Sequence, residues 1–288
     1  MGGILWSRPH EIYLDGLEFS SSIERDFDPE TAVAKLKQLL NANIYNYRPG
    51  SGMALPLTAA FFLGADPTLL TSLYEKWSAN CEEWPEDNPV AESIGMDNLD
   101  EFYGDRRFDH RYYDYFRDCL TEKPTWDKIV TMHMPQLWSR FANGNLRPLM
   151  ELGAALEADN GMTAAAALTL ACIKEPGELS VIDVEGEYGI DGEKLGIKFR
   201  NLARKALALK DYEGVLMVHA CAEVFLSPRL RLLTFTQEMP IILSVEKYLD
   251  AAEQGNQAVM SPQQALESQN PELITYTRAR LIIEKIAL

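Results

Sequence analysis

The chain has 288 residues, 47% hydrophobic and 24% charged, which is the composition of a folded protein rather than a disordered one. Its formal net charge of -16 disfavours nucleic acids and anionic membranes as partners, because an acidic surface repels phosphate groups. The N-terminal sequence has no signal-peptide pattern, and no run of about eighteen apolar residues predicts a membrane span. We therefore expect a cytoplasmic protein whose partner is a small molecule, and the oligomeric state stays open.

Helices are predicted from residue 28 onward, after an irregular N-terminal segment at 1–27. Asp28-Pro29-Glu30 favours a helix start, because the aspartate can accept hydrogen bonds from free amides and proline fits the first turn. The helical pattern breaks at 41–52. Residues 53–63 are apolar on every side, which is typical of a helix in the middle of a domain. Asp66-Pro67 then predicts the next helix start.

Apolar residues at helical spacing predict further helices in the rest of the chain. Their ranges are 108–120, 126–141 with an interruption at Pro135, 146–157, 162–173, 199–209, 212–226, 230–248 and 272–286. A stretch rich in glycine and acidic residues predicts a long loop near 176–196. We therefore expect an all-α fold, a single-domain multi-helix bundle over residues 1–288.

The sequence contains no complete catalytic or cofactor motif. Dinucleotide-binding glycines after a strand, a phosphate-binding loop and a nucleophile elbow are all missing. No two histidines are spaced to share one face of a helix, as a helix-borne metal site would require. The histidines are His10, His110, His133 and His219. The cysteines are far apart in sequence and predict reduced, mostly buried thiols. They are Cys81, Cys119, Cys172 and Cys221.

His219 is the first candidate functional residue. It is a single imidazole in an apolar helix, and Glu223 follows one turn later on the same face. A carboxylate in that position can orient a histidine that acts as a general base or as a metal ligand. The alternative is a core histidine that forms a hydrogen bond with a neighbour.

Arg147, Glu151 and Glu157 form the second candidate group, in the otherwise apolar helix at 146–157. Arg147 and Glu151 are four residues apart, a spacing that favours an ion pair. Acidic groups on an apolar helix need such compensation when they are buried. The alternative is a polar cluster that lines a pocket.

Aromatic side chains are candidates for the walls of a cavity that binds a flat ligand. The set comprises Tyr103, Tyr112, Tyr113, Tyr115, Trp126 and Trp138. Among them we single out Tyr112 and Tyr115 as candidate substrate-binding residues. Aromatic residues also build hydrophobic cores, which is the competing interpretation.

Two segments resemble the questin oxidase-like family. Residues 53–67, MALPLTAAFFLGADP, are similar to that family's helix ending in LGA-x-P. Residues 147–157, RPLMELGAALE, are similar to its HPLIHLGYALE segment. Residues 98–116 resemble its aromatic stretch, and His219-Ala220 resembles its histidine-bearing helix. Order and approximate spacing agree over residues 30–226.

This resemblance implies an all-α fold. It also implies oxidation of anthraquinone-type rings by Baeyer–Villiger-like or oxygenative chemistry. NADPH is associated with some members, and a histidine-bound iron with at least one. The chain departs from the family where histidines are replaced, and only His219 stays in place. The replacing residues are Gly52, Leu55, Pro56, Arg147 and Glu151. An iron site would therefore need His219, Glu151 and a further ligand.

We expect a divergent member that oxidises a flat aromatic or polyketide-like molecule in an apolar helical pocket. The expected catalytic residues are His219, Glu151 and Glu157, and the expected substrate-binding residues are Arg147, Tyr112 and Tyr115. The cofactor stays open, with NADPH and iron implied only by the resemblance. The alternatives are a non-redox binding or cyclase-like protein, and a helical interaction protein with a filled core.

Overall fold

The structure, a computed structural model, describes residues 27–85, 90–122, 125–175, 192–225 and 235–288. The helices are α1 Pro29–Asn46, α2 Ala54–Phe62, α3 Pro67–Ser78, α4 Asp109–Glu122, α5 Trp126–Leu137, α6 Asn143–Ala158, α7 Gly161–Ile173, α8 Gly192–Leu209, α9 Tyr212–Phe225, α10 Phe235–Ala251, α11 Pro262–Ser268 and α12 Pro271–Ala287. In these ranges the only β pairing is an isolated bridge between Tyr47 and Glu83. The predicted all-α class is confirmed. No helix within them is long and apolar enough to cross a membrane.

Helix starts follow the sequence signals closely. The Asp28 carboxylate accepts hydrogen bonds from the amides of Glu30 and Thr31 at 3.4 and 3.0 Å, which caps α1. The Asp66 carboxylate accepts one from the Leu69 amide at 2.7 Å, which caps α3. These bonds satisfy amides that the first helical turn leaves without an internal partner.

Several predicted boundaries are wrong. Helix α1 continues to Asn46, past the predicted break at residue 41, because Asn43 and Ile44 are buried and the Ser51 hydroxyl donates to the Asn43 side chain. Helix α8 begins at Gly192, inside the predicted loop near 176–196. The rest of that loop, like the predicted irregular segment up to residue 26, lies outside the described residues.

Four helices form a closed ring around the centre of the fold. Helix α2 packs against α6, α6 against α9, α9 against α12, and α12 back against α2. Every residue of α2 is buried, as its apolar sequence predicts. Helices α4 and α5 lie outside this ring and pack on α7. The ring therefore determines which side chains meet in the interior.

Candidate functional site

Four ionisable side chains meet inside the ring, and we call them the buried cluster. They are Glu157 on α6, His219 and Glu223 on α9, and Arg278 on α12. Their side chains are only 3 to 6% exposed. Ionisable groups are rarely buried without a specific partner, because the loss of hydration is costly. Four such groups together therefore make the cluster a candidate functional site.

Local sequence explains how each helix contributes. His219 and Glu223 are one turn apart on α9 and share a face. On α6, Gly153 lies one turn before Glu157 and faces the same helix, since a Cβ atom on Gly153 would lie 3.4 Å from the Glu223 Cβ. Without a side chain there, α9 approaches α6 closely. Arg278 occupies an inward position of α12, between the buried Ile274 and Ile282.

Arg278 anchors one side of the cluster. Its Nη2 atom donates a hydrogen bond to the Glu157 Oε1 at 3.0 Å. Its guanidinium carbon also lies 4.5 Å from the centre of the Phe62 ring on α2. The Nε and Nη1 atoms of Arg278 are buried and form no hydrogen bond with any residue that the structure describes. The guanidinium thus contacts Glu157 and Phe62, while its Nε and Nη1 groups donate no hydrogen bond to the described residues.

The other side of the cluster is His219. Its Nε2 atom is 3.3 Å from the Glu223 Oε1, but the two atoms are not aligned as a hydrogen bond, and Nε2 has no hydrogen-bond partner in the described ranges. Burial raises the pKa of Glu157, and the nearby charge of Glu223 raises it further, whereas Arg278 and His219 lower it. The predicted proximity of His219 and Glu223 is confirmed.

Glu151 lies apart from the cluster. It precedes Gly153 by two residues, so its side chain is rotated about 200° around α6 from the face that meets α9. The ion pair with Arg147, one of the two alternatives for this group, does not form among the described residues, where Arg147 acts on Glu151 only through its charge. Glu151 is 4% exposed, and burial raises its pKa while the charge of Arg147 opposes that rise. The half-buried Arg147 guanidinium instead lies against Gly52, where a Cβ atom would come within 3.2 Å of its Nη2.

The two tyrosines singled out from the sequence make structural contacts outside the ring. Tyr112 is fully buried, and its hydroxyl donates to the Leu99 carbonyl at 2.8 Å. The Tyr115 hydroxyl lies 3.0 Å from the His133 Nε2, and the His133 Nδ1 lies 2.9 Å from the Ile129 carbonyl. A carbonyl can only accept, so Nδ1 is the donor and Nε2 accepts from Tyr115. These contacts favour the core interpretation for Tyr112 and Tyr115.

A groove of about 620 Å³ lies at the surface between α1, α4, α5 and α7, and its lining includes no residue of the buried cluster. Its lining includes Lys37, Asp159 and Trp126, and Asp159 pairs with both of the other two. This mixed, charged lining differs from the apolar pocket expected from the sequence. We therefore do not assign the substrate to this groove.

Sequence reasoning missed Arg278 and the proximity of Glu157 to Glu223. The available signal was an arginine at a position where the helical pattern of α12 expects an apolar residue. Glu157 and Arg278 are 121 residues apart in sequence. The pairing itself therefore depends on the ring, which holds α6 and α12 on opposite sides of the same interior, and short-range patterns do not show this.

The family model for questin oxidase-like proteins matches residues 53–231. The chain belongs to the questin oxidase-like family. That membership supports an oxidase-type function in broad terms. The matched range includes Glu157, His219 and Glu223, whereas Arg278 comes from a helix beyond it. A comparison with curated proteins finds no match.

In this questin oxidase-like protein, the cluster suits the binding of a divalent metal. The ligand atoms of Glu157, His219 and Glu223 all lie within 4.8 Å of one another. One imidazole and two carboxylates form a donor set that accepts iron(II) and similar ions. NADPH is different, because the described helices contain no strand followed by a glycine-rich turn that could hold a dinucleotide. We assign no residues to NADPH.

Proposed function

We propose that this protein oxidises a flat aromatic or polyketide-like small molecule, by Baeyer–Villiger-like or other oxygenative chemistry, at the buried cluster. The observation that supports the proposal is the meeting of Glu157, His219, Glu223 and Arg278 in the interior of a ring of four helices. Membership of the family supplies the oxidase-type chemistry. Low polarity around such a cluster strengthens its electrostatic interactions with a reacting group.

The proposed oxidation consumes O₂ and needs a source of two electrons. In a Baeyer–Villiger-like step, one oxygen atom of O₂ enters between a carbonyl carbon and its neighbouring ring carbon. The other oxygen atom leaves as water, which requires two electrons and two protons from a reductant such as NADPH. The redox capacity therefore comes from a bound group or co-substrate, and the protein supplies position and electrostatics.

The residues of the chain have distinct roles in this proposal. Glu157, His219 and Glu223 form the reactive centre, and iron bound by them would supply the activation of oxygen. Arg278 fixes the orientation of Glu157 through the 3.0 Å hydrogen bond. Arg147, half-buried beside Gly52, is proposed to pair with an anionic part of the substrate. Glu151, Tyr112 and Tyr115 have no part in the proposed centre, because their contacts lie elsewhere.

The proposal is tested by oxygen uptake. Purified protein is incubated with a panel of hydroxylated anthraquinones, with and without NADPH and iron(II), and consumption of O₂ is followed with an electrode. We expect substrate-dependent uptake and, by mass spectrometry, a product with one added oxygen atom. Uptake that is the same with and without every aromatic substrate would overturn the proposal.

A non-redox binding or cyclase-like role is the second candidate. Histidines of the family are replaced here by Gly52 and Arg147, which favours this candidate. These two residues lie against each other, and neither supplies a histidine ligand for iron. The same panel separates the two functions. Saturable binding of an anthraquinone, or its rearrangement to a product of equal mass, without O₂ consumption would support the second candidate.

A further inference from the structure

We propose that Glu157, His219 and Glu223 bind a divalent first-row transition metal, with Arg278 as the residue that positions Glu157. The expected iron site, built on Glu151, is thereby replaced by one built on Glu157 and Glu223. Three candidate ligand atoms within 4.8 Å of one another are close enough to converge on one ion. The inference rests on these contacts and not on the identity of the proposed substrate.

The state of His219 gives independent support. The imidazole is 4% exposed, and its Nε2 faces the Glu223 carboxylate at 3.3 Å, yet it has no hydrogen-bond partner in the described chain. A buried imidazole nitrogen without a partner is unfavourable, because it has lost its bond to water. A metal ion between Nε2 and the carboxylates would satisfy that nitrogen. His133, the other buried histidine in the described ranges, has partners for both ring nitrogens.

Charge also favours a cation. Within the cluster, two carboxylates carry more negative charge than the single guanidinium of Arg278 offsets, and the imidazole adds a neutral ligand. Arg278 bonds to the Oε1 atom of Glu157, so the second oxygen of that carboxylate stays available to a metal. In many metal sites a group that forms a hydrogen bond with a ligand holds that ligand in orientation, as Arg278 does for Glu157. Three protein ligands leave further coordination positions open, as catalytic metal sites require.

The donor set narrows the identity of the metal. An imidazole together with carboxylates suits Fe²⁺, Mn²⁺, Co²⁺ and Zn²⁺, whereas Ca²⁺ and Mg²⁺ prefer oxygen ligands alone. No thiol belongs to the cluster as described, so soft ions such as Cu⁺ are not favoured. We therefore choose Co²⁺ and Mn²⁺ as probes, because both give spectroscopic signals when bound.

The first measurement is metal content and affinity. The full-length protein is purified without chelator for elemental analysis, then stripped and titrated with Co²⁺ alone. We expect one Co²⁺ per chain, visible absorption bands, and a rise in melting temperature, since an ion that binds only the folded state stabilises it. Wild-type protein that binds neither Co²⁺ nor Mn²⁺ at a defined stoichiometry would overturn the proposal.

Variants assign the ligands. His219→Ala and Glu223→Gln are each expected to weaken Co²⁺ binding at least tenfold, whereas His133→Gln, a buried histidine outside the cluster, keeps wild-type affinity. Wild-type affinity in both His219→Ala and Glu223→Gln would contradict the assignment. If either variant does not fold, spin-echo spectroscopy of Mn²⁺ on the wild-type protein decides, since coupling to one imidazole nitrogen is required. Metal binding without oxidase activity would leave this inference standing and reject the proposed function. Oxidase activity in wild-type protein that binds neither Co²⁺ nor Mn²⁺ would do the reverse.

Discussion

Gly153 on α6 lies directly against Glu223 on α9, with only 3.4 Å between the Glu223 Cβ and the place where a Cβ on Gly153 would be. The Ala220 Cα on the same face of α9 is 4.0 Å from that place. A single missing side chain thus allows two helices to approach closely enough to join Glu157 with His219 and Glu223. Close helix packing and the geometry of the cluster are therefore linked.

This relationship predicts a graded response at Gly153. Gly153→Ala should be tolerated, because 3.4 Å is an ordinary contact distance and alanine favours a helix by about 1 kcal/mol over glycine. Gly153→Val should separate α6 from α9, since its two methyl groups have no space. We expect the valine variant to lose Co²⁺ affinity while still melting cooperatively. Equal Co²⁺ affinities in the two variants would show that helix separation does not control the cluster.

The Glu157–Arg278 pair predicts non-additive effects on stability. Arg278→Met leaves a buried carboxylate unpaired, and the loss of one partner of a buried pair costs about 3–5 kcal/mol. The double variant Glu157→Gln/Arg278→Met removes both charges, so it should be more stable than Arg278→Met alone. Denaturant unfolding of the wild type, both single variants and the double variant measures the coupling. Additive losses would show that the pair does not interact in solution.

The buried carboxyl group of Glu151 should make the stability of the protein depend on pH. Burial raises its pKa in the folded state above the ordinary value of 4.5. Above about pH 4.5 the unfolded chain therefore releases a proton that the folded chain keeps, so stability falls as pH rises until the folded group also ionises. Glu151→Gln removes this loss and should raise the melting temperature at pH 7 by a few degrees, as about 1 kcal/mol corresponds to roughly 2–4 °C. A Glu151→Gln variant that is less stable than the wild type at pH 7 and equally stable at pH 4 would contradict this prediction.

Substitution of Tyr115 should affect stability rather than substrate binding. Tyr115→Phe removes the hydroxyl that donates to the His133 Nε2 and leaves that buried nitrogen without its partner. The expected loss of stability is about 1–3 kcal/mol, with no change in Co²⁺ affinity or in the KM for an accepted aromatic substrate. Tyr112→Phe serves as a comparison, since its hydroxyl bonds to a backbone carbonyl instead. A raised KM with unchanged stability would return Tyr115 to the substrate site.

Much of the fold could be predicted because it depends on local signals. Asp28 and Asp66 cap helices where the sequence indicates, and the apolar run at 53–63 becomes the buried helix α2. The continuation of α1 to Asn46 could not be predicted in this way. It depends on the burial of Asn43 and Ile44 in the folded protein, which the local sequence pattern does not show.

The candidate site also has parts that local sequence predicts and parts that depend on tertiary packing. Glu223 follows His219 by one helical turn, so their proximity could be predicted from spacing alone. Arg147 and Glu151 have that same spacing but form no ion pair in the described structure, because spacing permits a contact without orienting the side chains. Arg278 was missed, since its partner Glu157 is on a helix 121 residues away.

The central claim is that the buried cluster is the reactive centre, and oxygen uptake by Glu223→Gln tests it most directly. The variant is compared with wild type and with His133→Gln on the aromatic substrate that gives the highest uptake, below the melting temperatures of all three. We predict that Glu223→Gln lowers kcat at least about a hundredfold, the scale expected when a group that acts in the transition state is removed, while His133→Gln keeps wild-type kcat. Wild-type kcat in a folded Glu223→Gln variant would contradict the account.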